Sequence, residues 1–273
     1  MSTRALVASP LGFLIGVSLG ALGGGGSILA IPVLVFVAGQ APSAATATSL
    51  VVVGVASLIG AYGHWRAGRV RVAPGLVFGL VGIAGSLAGS ALNRRLDGDV
   101  LLLAFAGLTL VAAWRILAGC PSCTRSGERG AVAEAGPDGT LRTKPATMTP
   151  RRVVKIVAAG IAVGFLTGLF GVGGGFVIVP ALALVLEFPM PAAVGTSLLV
   201  IAVNTAVALA ARAGAGTIDW GTTLVFTAAA TAGVGAGKRV ADRLEPESMQ
   251  RAFAALLVAV ALYTGSRALL AIV

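Results

Sequence analysis

Apolar residues along this chain gather into five long stretches in each half, with short polar segments between them. In the first half they fall at about 5–23, 28–38, 44–63, 73–92 and 100–118, and in the second at about 153–172, 176–186, 192–211, 222–240 and 252–273. Four of each five approach the ~20 residues that carry a helix across a bilayer. The second of each set is too short: at ~1.5 Å rise per residue it covers about half of a ~30 Å hydrocarbon core. Glycines precede it, and Pro42, or Pro189 and Pro191, follow it. The pattern predicts a half-helix that ends inside the membrane or in a protein-lined cavity.

The two glycine clusters are GALGGGGS at 20–27 and GLFGVGGG at 168–175, each followed five residues later by a proline, Pro32 and Pro180. Subtraction gives 180 − 32 = 148, and the same offset relates Gly12 to Gly160, Gly16 to Gly164, Leu34 to Leu182, Thr48 to Thr196, Ser49 to Ser197, Gly85 to Gly233 and Phe105 to Phe253. The chain reads as an internal duplication. Glycine weakens a helix and leaves backbone polar groups free, so duplicated clusters in apolar sequence mark intended breaks in membrane helices. Matching breaks in repeated halves point to the binding site of a transporter.

Composition sharpens this picture. Apolar residues make up 57% of the chain and charged residues 11%, with a mean hydropathy of +0.97, which leaves too little polar surface for a soluble exterior. The expected fold is all-α, a polytopic membrane protein of about 8–10 transmembrane segments in two pseudo-symmetric repeats with broken half-helices. Residues 1–118 would form the first repeat, 119–150 a flexible linker and 151–273 the second repeat. No cleavable signal peptide is evident, because the first apolar run continues into repeat sequence. The net charge of +10 sits in short segments between the apolar runs, which speaks for topology and against nucleic acid as a partner. Arg125, Arg129, Arg142, Lys144, Arg151, Arg152 and Lys155 outnumber the acidic residues of the linker region and place that side in the cytoplasm. A first stretch that spans alone and a half-helix that returns would make the repeats inverted, the arrangement favoured here; a single interrupted span would make them parallel.

Downstream of each glycine cluster lies a second repeated element, Ala45 to Leu50 (ATATSL) and Ala193 to Leu198 (AVGTSL). With the GVGGGFVIVP run at 171–180, its looser counterpart at 23–32, the segment 64–70 and Asp219-Trp220, the chain resembles the TauE/SafE sulfite-exporter family over both halves. The first cluster differs by carrying Ser27 where the second has Gly175. The resemblance implies export of small sulfur-containing anions, such as sulfite or an organosulfonate like sulfoacetate, from the cell by way of its inner (plasma) membrane. An anion channel, or a permease for another small anion, is the alternative; an enzyme would need catalytic residues that the sequence does not show.

The residues themselves suit an anion. Glycines allow backbone N–H groups to approach a ligand, and the N-terminus of a half-helix carries free donors and about +0.5 charge. Half-helices are expected to begin at Ser27–Ile28 and Gly175–Phe176, which makes Gly25, Gly26, Ser27, Gly173, Gly174 and Gly175 candidates for substrate binding. Thr48, Ser49, Thr196 and Ser197 offer hydroxyl donors, or else serve close helix packing. Asn204 lies two turns after Ser197 on the same face and either binds ligand or joins helices. His64 and Arg212, 148 residues apart, either attract an oxyanion or anchor helix ends at the interface.

Other chemistry finds little support. Glu187 and Asp219 are the main carboxylates available for proton coupling, and neither has an acidic counterpart at the repeat offset. There is no phosphate-binding GxxxxGK[ST] loop and no catalytic constellation, so no cofactor is expected. Cys120 and Cys123 form a lone CxxC, short of the four ligands of a structural zinc site, and no metal site is expected. A small anion and the lipid bilayer are the expected partners, and a homodimer is compatible with the sequence.

Overall fold

The computed structural model describes residues 3–93, 95, 98–118, 134–135, 141–142, 150–170, 175–211 and 220–272. Ten helices account for almost all of them: α1 (Thr3–Leu22), α2 (Gly25–Phe36), α3 (Pro42–Arg66), α4 (Val72–Asn93), α5 (Gly98–Ala118), α6 (Pro150–Phe170), α7 (Gly175–Pro180, continuing as a π-helical turn over Ala181–Val185), α8 (Met190–Ala211), α9 (Trp220–Ala241) and α10 (Pro246–Ile272). Between α5 and α6 the only described structure is a two-residue antiparallel ladder, Glu134 opposite Arg142 and Ala135 opposite Leu141, in a segment expected to be featureless. Cys120 and Cys123 lie outside the described residues.

Five helical segments are long and apolar enough to cross a membrane: Ala44–Arg66, Val72–Asn93, Val153–Phe170, Met190–Ala210 and Glu247–Ser266. Leu14, Leu80, Leu87, Leu224 and Leu262 are exposed, which in water would be a heavy cost and in lipid is the expected outer surface. Trp65 and Trp114 near the ends of α3 and α5, and Trp220 at the start of α9, are also exposed, as indole rings are at a membrane interface. This is a helical, multi-pass membrane protein.

The short apolar stretches form short helices, α2 and α7, and both end in the same turn. The Gln40 N–H donates to the Leu34 carbonyl at 3.0 Å, and the Phe188 N–H donates to the Leu182 carbonyl at 3.0 Å. Such a bond closes a helix through one left-handed residue. That residue is Gly39 (φ +69°) after α2 and Glu187 (φ +54°) after α7. Glycine meets this backbone without strain, whereas glutamate carries it against its own side-chain sterics.

Helices of one half pack mainly on helices of the other. The most extensive contacts are α4 on α6, α1 on α9 and α5 on α10. Small residues set the first two: Gly16 lies against the Ala230 carbonyl and Gly20 against that of Val234, while Gly164 lies against the Gly82 carbonyl and Gly168 against that of Ser86. Each second contact is the first with both partners shifted by 148 and exchanged (164 − 16, 168 − 20, 230 − 82, 234 − 86). Directions follow from the same contacts. Gly12, Gly16 and Gly20 meet Phe226, Ala230 and Val234 in order, so α1 runs parallel to α9; Gly60 and Gly63 of α3 meet Val234 and Lys238, so α3 does too. Gly54 and Gly60 of α3 meet Thr205 and Leu198 of α8 in reverse order, so these two are antiparallel. In turn α4 runs parallel to α8, through Gly75 against Thr196 and Gly79 against Val200, and parallel to α6. Thus α1, α3 and α9 point one way, and α4, α6 and α8 the other.

Candidate functional site

The α1–α2 break is a two-residue step. Gly23 takes a left-handed φ of +81°, and its N–H donates to the Leu19 carbonyl, closing α1. A side chain there would come 2.5 Å from Ser197 Oγ and 3.1 Å from Val194, so glycine is required by both φ and space. A Cβ on the next residue, Gly24, would fall on the Gly175 carbonyl, which starts α7. The α1–α2 break therefore touches the start of α7, with Ser27 on one side and Ser197 and Ile201 of α8 on the other. Phe176 fixes the start of α7 by packing edge-on to Phe105 at 4.9 Å.

Helix α2 begins at Gly25, two residues earlier than expected, and has no side-chain cap. Ser27 turns its hydroxyl back to the Gly24 carbonyl (2.8 Å), so the N–H groups of its first turn have no side-chain acceptor. Gly25, Gly26, Ser27 and Gly175 thus gather where helix donors and dipole converge. Their described neighbours include Ser18, Leu19, Leu256 and Ile201 and no carboxylate. Gly173, Gly174 and Arg212 lie outside the described residues.

The Thr-Ser pairs are buried one to two turns into α3 and α8, and each hydroxyl has a protein partner. Thr196 Oγ1 accepts the Arg71 N–H at 3.0 Å, tying α8 to the start of α4. Thr48 Oγ1 lies 3.3 Å from Thr223 Oγ1, tying α3 to α9. Ser49 and Ser197 donate to the carbonyls of Thr46 and Val194, three residues back. Of the four, Ser197 stands against the break.

His64 is fully buried, so it does not anchor a helix end at the interface. Its Nε2 lies 3.3 Å from the Gly20 carbonyl, and its Nδ1 has no partner. Asn204 is half-buried with its Oδ1 unpartnered near Gly79 of α4. The sequence reading did not single out Ser57, fully buried on α3 with an unpartnered Oγ, although the offset equates it with Thr205. Glu187 is exposed at its turn, away from both breaks, and Asp219 lies outside the described residues. Among the described residues no group of three or more His, Cys, Asp or Glu is placed to hold a metal ion.

One charged cluster joins the halves. Asp242, just past α9, pairs with Arg69 of the α3–α4 turn and with Lys238 at 2.7 Å. Partial burial pushes the Asp242 carboxyl up, but the hydrogen bonds from Lys238 and Arg69 outweigh this and hold it below the usual carboxylate range. Arg69 thus ties the α3–α4 turn to the end of α9.

Comparison with known proteins agrees with this architecture. The family described as Sulfite exporter TauE/SafE matches residues 8–264. A "Probable membrane transporter protein" of Xylella fastidiosa (strain Temecula1) is 32% identical over 92% of this chain and 91% of its own length. A "Probable membrane transporter protein" of Bacillus subtilis (strain 168) is 32% identical over 69% of this chain and 71% of its own, and another of Methanocaldococcus jannaschii is 26% identical over 70% and 66%. No solved structure matches the chain. A match across nearly the whole length, onto a multi-pass helical protein, places this chain in the TauE/SafE family of membrane transporters.

Proposed function

We propose that this protein is a secondary transporter that exports a sulfur oxyanion, sulfite or an organosulfonate such as sulfoacetate, through the inner (plasma) membrane, with its site where the two helix breaks meet. The observation that carries this is the contact of Gly24 with Gly175, which brings an uncapped helix N-terminus to the opposing break with no carboxylate among its described neighbours. Backbone donors at a helix N-terminus favour anions, and in a dry site they act at low dielectric. Ser27 adds a donor by turning its hydroxyl from the Gly24 carbonyl to the ligand.

The two halves are, in this reading, inverted repeats. The antiparallel run of α3 against its offset counterpart α8, and the exchange of contacts at 148 residues, support it. Rocking of one half against the other would expose the central site to each side in turn. The test is flux of sulfite, thiosulfate, sulfate, sulfoacetate and taurine into liposomes holding the purified protein. Saturable flux of at least one sulfur oxyanion supports the proposal; flux of none defeats it, and flux that rises with the gradient without saturating makes the protein a channel.

A further inference from the structure

His64 is the chain's one histidine and is buried on the last turn of α3. From α1 it faces the Gly20 carbonyl, three residues and thus about 4.5 Å of helix axis before the break at Gly23. From α8 it meets Gly195, two residues before Ser197, where a Cβ would lie 3.0 Å from that of His64. The charged groups that face it are Arg69 from its own side, and Lys238 and Asp242 from α9 and the turn beyond. A carbonyl oxygen can only accept, so the Nε2 contact assigns the proton of the neutral ring to Nε2. Nδ1 then holds a buried lone pair with no donor to fill it. Buried acceptors without a partner cost stability, and this one stands next to the break and beneath an ion cluster that joins the halves.

We propose that Nδ1 of His64 is a proton-binding site through which movement of the anion is coupled to a proton. Protonation at Nδ1 leaves the Nε2–H bond to Gly20 in place and makes the ring a cation beside Arg69 and Lys238. Asp242 is already shared between those two cations, so the added charge is balanced when an anion occupies the adjoining break. Proton and anion then favour each other's binding, by the same factor in both directions. Net movement follows the sum of the two gradients. The inference rests on the proposed anion transport, and its test separates the two.

A single histidine makes the test direct. The full chain, in lipid nanodiscs with ¹⁵N-labelled histidine, is titrated across roughly pH 5 to 8, alone and with sulfite, sulfate or sulfoacetate. The expected ring is the Nε2–H tautomer that takes a proton at Nδ1, at a midpoint that rises when an anion is bound. A ring that stays neutral over the whole range, or carries its proton at Nδ1 when neutral, overturns the proposal whether or not an anion is transported. In liposomes, one proton per anion makes the accumulation ratio change about tenfold per unit of imposed pH difference. In His64→Gln that ratio becomes insensitive to the pH difference, whatever the rate. An unchanged dependence in His64→Gln overturns the coupling, whereas a wild-type protein that moves no anion strikes the proposed function and leaves the titration to decide the proton site.

Discussion

Thr196 shows how one hydroxyl can serve packing at a position the sequence offers for binding. It accepts the N–H of Arg71 in full burial, and Thr196→Val keeps the shape while removing the acceptor. The stranded donor should cost ~1–3 kcal/mol, read as a lower melting temperature in detergent, and Thr196→Ser should recover most of it. Glu187 is a second case, since its type suggested a coupling carboxylate while its backbone makes it a strained turn residue. Glu187→Gly should therefore stabilise the protein, by about 0.5 kcal/mol once the added freedom of the unfolded chain is set against the relieved strain. A loss of stability would show that the glutamate side chain has a role beyond the turn. The sequence held the clue in Gly39, its counterpart 148 residues earlier, but residue type alone does not display φ. Burial of His64 was equally hidden, because a polar residue at the end of an apolar run looks the same whether it faces headgroups or a neighbouring helix.

At the scale of elements, the breaks were legible because glycine clusters and prolines interrupt long apolar runs, and they produce the short α2 and α7. The π-helical turn after Pro180 and the start of α2 at Gly25 were not, since both depend on backbone hydrogen bonding rather than on composition. The pairing of α1 with α9 and α4 with α6 was also beyond the sequence: in helices apolar on all sides no stripe marks the protein-facing side. Glycines mark it instead, and they can be tested against each other. Gly24→Ala puts a methyl group on the Gly175 carbonyl and should abolish transport and lower the melting temperature by many degrees. Gly107→Ala, on α5 with nothing within 4 Å of the added Cβ, should be neutral or stabilise by roughly 0.5–1 kcal/mol. Equal effects in melting experiments on the two variants would contradict the close approach of the breaks.

For the whole molecule, the helix directions place the α3–α4 and α9–α10 turns on the side of the segment that joins α5 to α6, with both chain ends opposite. If the positive linker faces the cytoplasm, as its charge predicts, Cys120 and Cys123 should be shielded from an impermeant thiol reagent added to intact cells, and tags at both termini should be reached from outside. A linker labelled from outside reverses the orientation; termini found on the linker side make the repeats parallel. The Arg69–Asp242–Lys238 cluster links the α3–α4 turn to the end of α9. Because Asp242 titrates lower folded than unfolded, its contribution is complete above the ordinary carboxylate range and is lost as pH falls through the native value. Asp242→Asn should thus melt below the wild type at neutral pH and converge with it in acid. A gap that persists in acid would show that the pairing does not depend on this charge. The 148-residue offset was legible in the sequence, whereas the packing of α1 on α9 and of α4 on α6 required the contacts themselves.

The most direct test of the central claim is equilibrium binding of sulfite and sulfoacetate to the purified wild type, Ser27→Ala and Ser266→Ala. Ser266 is exposed on α10 and donates to the Tyr263 carbonyl, whereas Ser27 lies against Gly175. Loss of one ligand hydrogen bond costs ~0.5–1.5 kcal/mol, so Ser27→Ala should weaken binding about three-fold to tenfold while Ser266→Ala leaves it unchanged. Native affinity in Ser27→Ala would move the site away from Gly24 and Gly175, and absence of saturable binding of either anion in the wild type would contradict the account.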